Sequence, residues 1–600
     1  MKWIKQIIWV TFSLSLVACA NRSAGPSGGD KDTIPPVVVR SNPENQAVNF
    51  KKKEILVYFN ENISLDKVTE NVIVSPPQKT QPIVKANAKL LTVNLQDDLQ
   101  DSTTYSILFG NAIVDLNEKN PLENYVFSFA TGDVIDSLKI SGKLISAENL
   151  DPISNVAVGI HTNLHDTAIN NDHFTRIAKT DSEGKFTIQN VKTGTYKIYA
   201  LDDLNRDFKY QPGEGVAFSD SLIQPIVTTT EKLDTLWKDS VTIDTIHRHI
   251  NHVYKPDDIL LKFFKEQKKR QYLVKSERTD EKYFALYFND KQDSLPKITP
   301  LNFDENTHFL IEKSANLDSL IYWMPDSITY KQDTLSLAIS YLITDSVFNY
   351  VETTDTLSLF QRKARTTAKP KTAVQPQVEV LPLSLKTNLS SSFDVYKLII
   401  FDFPEPVDSV DVDKIHLNLI VDSIPQTVEF DWVDNDSIGK SYALKYAWKP
   451  EQSFEISIDS AAFISIYGKA SDSLKNSFKI KSLEEYATLI ITLEEFEDRA
   501  VIQILDTKEQ VMQTKPAVEK GTLFEYLKPG DYYARMFIDE NENGIWDTGN
   551  MDERKHPEEV IYFQKKLSLR ANWELEEKWN HLNPKHKNIK PKELIQQVKK

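Results

Sequence analysis

Short runs in which apolar and polar residues alternate recur along most of the chain. Residues 55–59, 91–95, 105–109 and 398–401 are built from β-branched and aromatic side chains. A period of two sets one face of a strand on a core and leaves the other in solvent. Turn residues interrupt the runs at short intervals, which predicts β-sandwich domains. Glycine is scarce, 17 in 600 residues, so the turns must lean on Asp, Asn, Ser and Pro. Helical periodicity is brief, at 64–71 and after Pro591. The expected class is all-β, a string of tandem sandwiches.

Internal repetition refines that picture. Phe59-Asn-Glu-Asn-Ile63 follows one apolar strand, and Phe403-Pro-Glu-Pro-Val407 follows another. Gly194-Thr-Tyr196 leads to Asp203, Asn205, Asp207 and Tyr210, and Gly530-Asp-Tyr532 leads to Asp539, Asn541, Asn543 and Trp546. The copies keep their order at nearly one offset, 344 residues for the first pair and 336 for the second. A duplicated two-domain module is the economical reading.

The first half of the module, with Asp32-Thr-Ile-Pro-Pro36, the 55–63 run and the closing Phe129-Ala-Thr-Gly132, resembles the bacterial Ig-like domain of S-layer proteins. The second half, with Ile140-Ser-Gly142, Asp181-Ser-Glu-Gly184 and Gly194-Thr-Tyr196, resembles transthyretin-like, carboxypeptidase-regulatory-like sandwiches. The resemblance implies spacers or binding modules, since such folds carry many unrelated functions. The expected layout is a signal peptide at 1–18, a flexible leader at 19–33 and an Ig-like domain at 34–133. A transthyretin-like sandwich at 134–228, a linker at 229–253 and an unassigned β domain at 254–360 follow. Then come a basic linker at 361–376, a second Ig-like domain at 377–482, a second transthyretin-like sandwich at 483–580 and a basic tail at 581–600.

The amino terminus changes the functional outlook. Lys2 and Lys5 precede an apolar stretch at 7–17 that is too short for a transmembrane helix and fits a secretory signal. It ends Leu16-Val17-Ala18-Cys19, which resembles a bacterial lipobox. That resemblance implies cleavage before Cys19 and acylation of this residue, so the membrane is the first expected partner. Cys19 is the only cysteine, which excludes a disulfide framework or a cysteine-ligated zinc site in the body. Lipobox, Gly-rich leader and Asp-Thr-Ile-Pro-Pro opening together resemble Bacteroidota-type outer-membrane lipoproteins. The implied location is the outer membrane, with the extracellular and periplasmic faces equally open, and other outer-membrane proteins are the implied partners.

Composition narrows the chemistry. Against 86 Asp and Glu stand 71 Lys and Arg, a formal net charge of −15, which argues against nucleic-acid binding. No serine-elbow, zinc-protease or nucleotide-loop motif occurs, so no enzymatic activity is expected. A structural or binding role at the envelope is the leading reading, and an adhesin or glycan-binding protein with calcium-stabilised domains is the alternative. A hydrolase using the 254–360 region has no motif behind it.

Calcium is the one cofactor considered. Asp539, Asn541, Asn543 and Asp547, with the turn at Gly544, match the early positions of a calcium loop, but position twelve is Asn550. In the other copy Asp203, Asn205 and Asp207 lead to Glu214, while Phe208 replaces the turn glycine. An Asx-rich hairpin loop explains the same residues. His247, His249 and His252 share a strand-like spacing without a further ligand. Finally, Asp-Ser/Thr followed by Ala, Ile, Leu, Val or Met occurs 18 times, against roughly two or three expected from composition. This resembles the O-glycosylation sequon of Bacteroidota-type bacteria, with Ser137, Thr167, Thr235, Ser319, Thr334, Thr356, Ser423 and Ser473 among the acceptors. An Asp-Ser turn entering a strand gives the same tripeptide.

Overall fold

The computed structural model describes residues 32–237, 243–266, 270–345, 349–361 and 381–595. The chain divides into two compact units. One comprises Met1–Ile145, Pro152–Gln211 and Val216–Phe263, the other Ser146–Asp151, Pro212–Gly215 and Phe264–Lys600. Nearly all regular structure is strand.

Alternation in the sequence becomes alternation in burial. In Glu54–Phe59 the residues Ile55, Val57 and Phe59 point inward, and in the neighbouring Leu90–Asn94 so do Leu91 and Val93. They meet Ile107, Phe127 and Phe129 in one core. Each such side chain contributes roughly 1.5–3 kcal/mol on full burial.

The two segments expected to be Ig-like share a strand plan. In the first, Glu54–Phe59 lies between Val38–Asn42 and Leu90–Asn94, with Ile83–Asn87 outside. In the second, Ile399–Asp402 lies between Lys386–Thr387 and Ser441–Lys445, with Asp431–Asp434 outside. The facing sheets centre on Thr104–Leu108 and on Ser453–Ile458. The Phe-x-Glu segments then enter matching two-strand pairs, Ile63–Leu65 with Ile113–Asp115 and Val407–Val410 with Phe463–Ser465.

The following segments also correspond. Leu138–Ser146 lies between Lys185–Val191 and Ile259–Lys265, as Ala487–Leu493 lies between Thr522–Leu527 and Glu574–Trp579. Ala157–His161 lies between Arg176–Lys179 and Lys197–Leu201, as Ala500–Leu505 lies between Val511–Pro516 and Gly530–Ile538. In both, a tyrosine ties the corner where the strand leading to the Asx-rich loop begins. The Tyr196 hydroxyl donates to the Lys192 carbonyl and that of Tyr532 to the Lys528 carbonyl, each at 2.8 Å.

Four expectations are corrected. The 229–253 linker is instead most of a ribbon, Ile226–Trp237 paired with Ile243–Lys255. Residues 226–231 are exposed, so this stretch lacks the buried face that marks a strand in sequence. The β domain expected from 254 starts later, because Ile259–Lys265 completes the preceding seven-stranded sheet. The 64–71 helix shrinks to the single turn Val68–Asn71, and after Pro591 only the 3-10 turn Lys592–Leu594 forms. The basic tail at 581–600, whose lysines suggest a solvated end, is partly buried up to residue 595. His581, Lys590 and Leu594 are buried, and the Lys590 ammonium lies 2.7 Å from both the Asp151 and the Glu509 carboxylates. A lysine-rich segment reads as solvated in sequence, but here one lysine is the counter-ion of two carboxylates.

Buried polar ties lock successive sandwiches within each unit. In the first, Arg176 is 5 % exposed and donates to the carbonyls of Ser75, at 3.0 Å, and Thr104. Asn190 donates to the hydroxyls of Ser106 and Ser128, both at 2.7 Å. In the second, Asp394 accepts from Lys481 and Tyr486, each at 2.7 Å. Burial alone would raise the Asp394 pKa, but donors from Lys397, Lys481 and Tyr486 outweigh it and hold the carboxyl well below the usual range. Glu405, of the Phe-x-Glu motif, is buried against Lys282 at 2.8 Å and Lys469 at 3.2 Å.

Candidate functional site

The two Asx-rich loops leave equivalent strands. One runs from Lys197–Leu201 to Gly215–Phe218, the other from Gly530–Ile538 to Val560–Tyr562. Their backbones follow one path. Arg206 and Glu542 take φ values of 65° and 59°, and Phe208 and Gly544 take 55° and 76°. The left-handed region costs little at Gly544 but roughly 1–2 kcal/mol at Phe208. The missing glycine at position 208 therefore leaves the turn intact.

Hydrogen bonds repeat as well. Asp203 accepts from the backbone N–H groups of Arg206, Asp207 and Phe208, and Asp539 from those of Asn543 and Gly544. Asn205 accepts from Asp207 N–H at 3.0 Å, and Asn541 from Asn543 N–H at 3.2 Å. The residues expected on calcium thus first of all satisfy turn backbone. Asp207 accepts from Lys209 N–H, and Asp547 accepts from the side-chain amides of Asn541, at 2.6 Å, and Asn543, at 2.7 Å. Among the described residues no group of three or more His, Cys, Asp or Glu is arranged to hold a metal ion.

One residue of this site escaped the sequence reading. Val216 pairs with Leu201, and Val560 pairs with Phe537, so these valines are equivalent. Two residues before them stand Glu214 and Glu558, 4 % and 2 % exposed. Glu558, not Asn550, is therefore the counterpart of Glu214. The second loop is longer, which hid the match; the repeated Glu-x-Val preceding the strand was the available signal. Glu558 accepts from Glu540 N–H at 2.8 Å and Asp547 N–H at 3.0 Å. Burial, then the nearby Asp547 and Asp539 charges, push its carboxyl upward in pKa.

The other expected residues are scattered. Leu16, Val17, Ala18 and Cys19 lie outside the described residues. His252 is exposed on Ile243–Lys255; the side chains of His247, His249 and Thr235 lie outside the description. Ser137, Thr167, Thr356, Ser423 and Ser473 are exposed, whereas Ser319 and Thr334 are half-buried within strands.

A buried histidine also went unnoticed. His161 is 1 % exposed, its ring 4.8 Å from that of Phe174, with Nε2 unpartnered. Burial pushes its pKa down to about 4. Unfolding returns it to about 6.5, so the unfolded chain binds more protons between these values. Stability contributed here is present above pH 6.5 and falls as pH drops toward 4, by about 3 kcal/mol in all. Chemical denaturation at pH 7 and pH 4.5 reads this loss, and His161→Leu flattens the slope.

Residues 32–131 match the family model of the bacterial Ig-like domain, Big_5. No curated protein matches the chain. Among solved structures, the N-terminal part of the bacterial S-layer protein SbsC is 14% identical, with 28% of this chain covering 40% of that one at a TM-score of 0.13. The chain thus spans well under half of that structure's length. The major pilin subunit BcpA of Bacillus cereus is 8% identical, covering 74% and 99% at a TM-score of 0.12. The Bacteroides ovatus mixed-linkage glucan protein SGBP-B, solved with a heptasaccharide, is 10% identical, covering 71% and 93% at a TM-score of 0.16. Overlaps this low carry no function across.

Proposed function

We propose that the protein is an outer-membrane lipoprotein in which acylated Cys19 holds a string of rigid β-sandwiches at the envelope, as a scaffold or accessory subunit of an outer-membrane complex. Its role is non-enzymatic. The observation that carries this reading is the buried polar locking of neighbouring sandwiches within a unit, by Arg176 and Asn190 in one and Asp394 in the other. Such ties transmit position, as a spacer or a docking subunit requires, where loose linkers would not. The segments at 134–265 and 483–580 are read as transthyretin-like sandwiches. A mild-detergent pull-down of the native lipidated protein tests the role: an outer-membrane barrel protein co-purifying in fixed ratio supports it, and isolation of the protein alone from intact membranes contradicts it.

A second reading, calcium-stabilised domains in an adhesin or glycan-binding protein, is favoured by Glu558. That residue supplies the late carboxylate that the Asp539 loop lacks in sequence, and Gly544 gives the turn that such a loop needs. Cation binding would require the Asn541 and Asn543 amides to turn their oxygens toward Asp547. On this reading calcium raises the melting temperature and Asp539→Ala abolishes the rise; an unchanged Tm leaves a purely structural loop. O-glycosylation at the exposed Ser137, Thr167, Thr356, Ser423 and Ser473 adds hydrophilic bulk. Intact mass tests it, and a mass of polypeptide plus lipid alone excludes it.

A further inference from the structure

Around Lys590, within the second unit, negative charge exceeds positive. The Lys590 side chain is 1% exposed, and its ammonium lies 2.7 Å from Asp151 Oδ1 and 2.7 Å from Glu509 Oε2. Two other ion clusters of this unit have the opposite ratio: Asp394 sits between Lys397 and Lys481, and Glu405 between Lys282 and Lys469. Those carboxylates are fully counter-charged. Lys590 leaves one carboxylate beyond neutrality, in surroundings where charge is costly. Neither the scaffold reading nor the calcium reading uses this trio.

Each member is held by its own contacts. Glu509 Oε1 accepts from the Tyr562 hydroxyl at 3.0 Å, and the fully buried Tyr562 ring lies 5.8 Å from the Lys590 nitrogen. The chain is tied on both sides of Lys590: the Ile589 carbonyl accepts from the Gln564 amide at 2.7 Å, and Leu594 is buried. Asp151 closes a turn, its carbonyl accepting from Ser146 N–H at 2.8 Å and its own N–H donating to Asn149 Oδ1 at 3.0 Å.

A primary amine, a carboxyl group in contact with it and a second carboxylate on the same nitrogen are the parts of an amide condensation. In water the reaction is held back because solvent stabilises both ions. Burial of the ammonium removes part of that stabilisation, and the amide product carries neither charge. Fixed contact adds the advantage of an intramolecular reaction, an effective concentration of about 10⁵–10⁸ M in well-oriented cases. The Asp151 side chain is 20% exposed, which gives the released water an exit.

We propose that Lys590 and Asp151 condense into an isopeptide bond, with Glu509 as the proton carrier. The Lys590 ammonium passes a proton to Glu509 Oε2, and the freed lone pair attacks Asp151 Cγ. Glu509 returns that proton to an Asp151 oxygen and then carries a second by the same route. The C–O bond breaks, the oxygen leaves with both protons as water, and one proton stays on the amide nitrogen. Glu509 ends as the carboxylate it began, so no oxidant, reductant or cofactor enters. The bond joins positions 439 residues apart.

Peptide mapping by mass spectrometry, on full-length protein purified from its native cells, tests this. The expected result is a branched peptide linking Asp151 to Lys590, lighter than its two parts by one water. Glu509→Gln keeps an acceptor for the Tyr562 hydroxyl and should leave the two peptides separate, because general acid–base catalysis supplies about 10²–10⁴-fold in rate. Unchanged near-ultraviolet circular dichroism shows that this variant folds, and the native mapping decides alone should it fail to. Separate, unmodified Asp151 and Lys590 peptides in the native protein overturn the proposal. So does a branch at Glu509 in place of Asp151, or a branched peptide as abundant in Glu509→Gln as in the native chain.

Discussion

Producing the mature body, residues 20–600, behind a signal peptide that is cleaved without lipidation is expected to move the protein from the membrane fraction to the soluble envelope fraction, with no intermediate population. The apolar stretch ahead of Cys19 is removed with the signal peptide on this account, so nothing of it remains to hold the mature chain. Among the described residues no helix is long and apolar enough to cross a membrane. On the proposed reading attachment rests on acyl chains, where each buried CH₂ contributes about 0.8 kcal/mol and stable anchoring takes more than one chain. Losing the thiol loses all of them together. Fractionation of cells followed by immunodetection reads the result, and unlipidated, cleaved protein that stays with membranes as firmly as native protein excludes the lipid as the anchor.

The second large effect is at Lys590. Lys590→Met is expected to destabilise the second unit by about 3–5 kcal/mol, because it strands two carboxylates against buried surroundings. The side chains of Asp151 and Glu509 are only 20% and 16% exposed, so water cannot replace the ammonium fully. The triple change Lys590→Met, Asp151→Asn and Glu509→Gln should recover much of the loss, since removing a whole buried charge set is often near neutral. Several domains share this unit, so one unfolding midpoint is not defined by the site alone. Hydrogen exchange resolves it locally: protection should fall in Ala500–Leu505 and its partner Val511–Pro516, which flank Glu509. Exchange as slow as in the native chain would place Lys590 among dispensable surface contacts.

What was legible in the sequence was whatever carried a period or a repeat. Ile55, Val57, Leu91 and Val93 announced a sandwich by alternation alone, and they lie in its core. The Asp203 and Asp539 motifs announced matching loops, and their φ values and hydrogen bonds agree. What stayed hidden depended on partners distant in the chain. Glu558 was obscured because the longer loop broke the constant spacing. Ile259–Lys265 reads as the start of a new domain, yet its place is set by a sheet that began at Leu138. Lys590 looks like any tail lysine until the fold brings it to Asp151, 439 residues earlier.

The account stands or falls on the tether, and the mass of the amino-terminal peptide of protein purified from native membranes tests it most directly. The predicted peptide begins at Cys19 and carries a diacylglyceryl thioether and an acylated amino group. A peptide beginning elsewhere, or an unmodified Cys19 in membrane-derived protein, contradicts it.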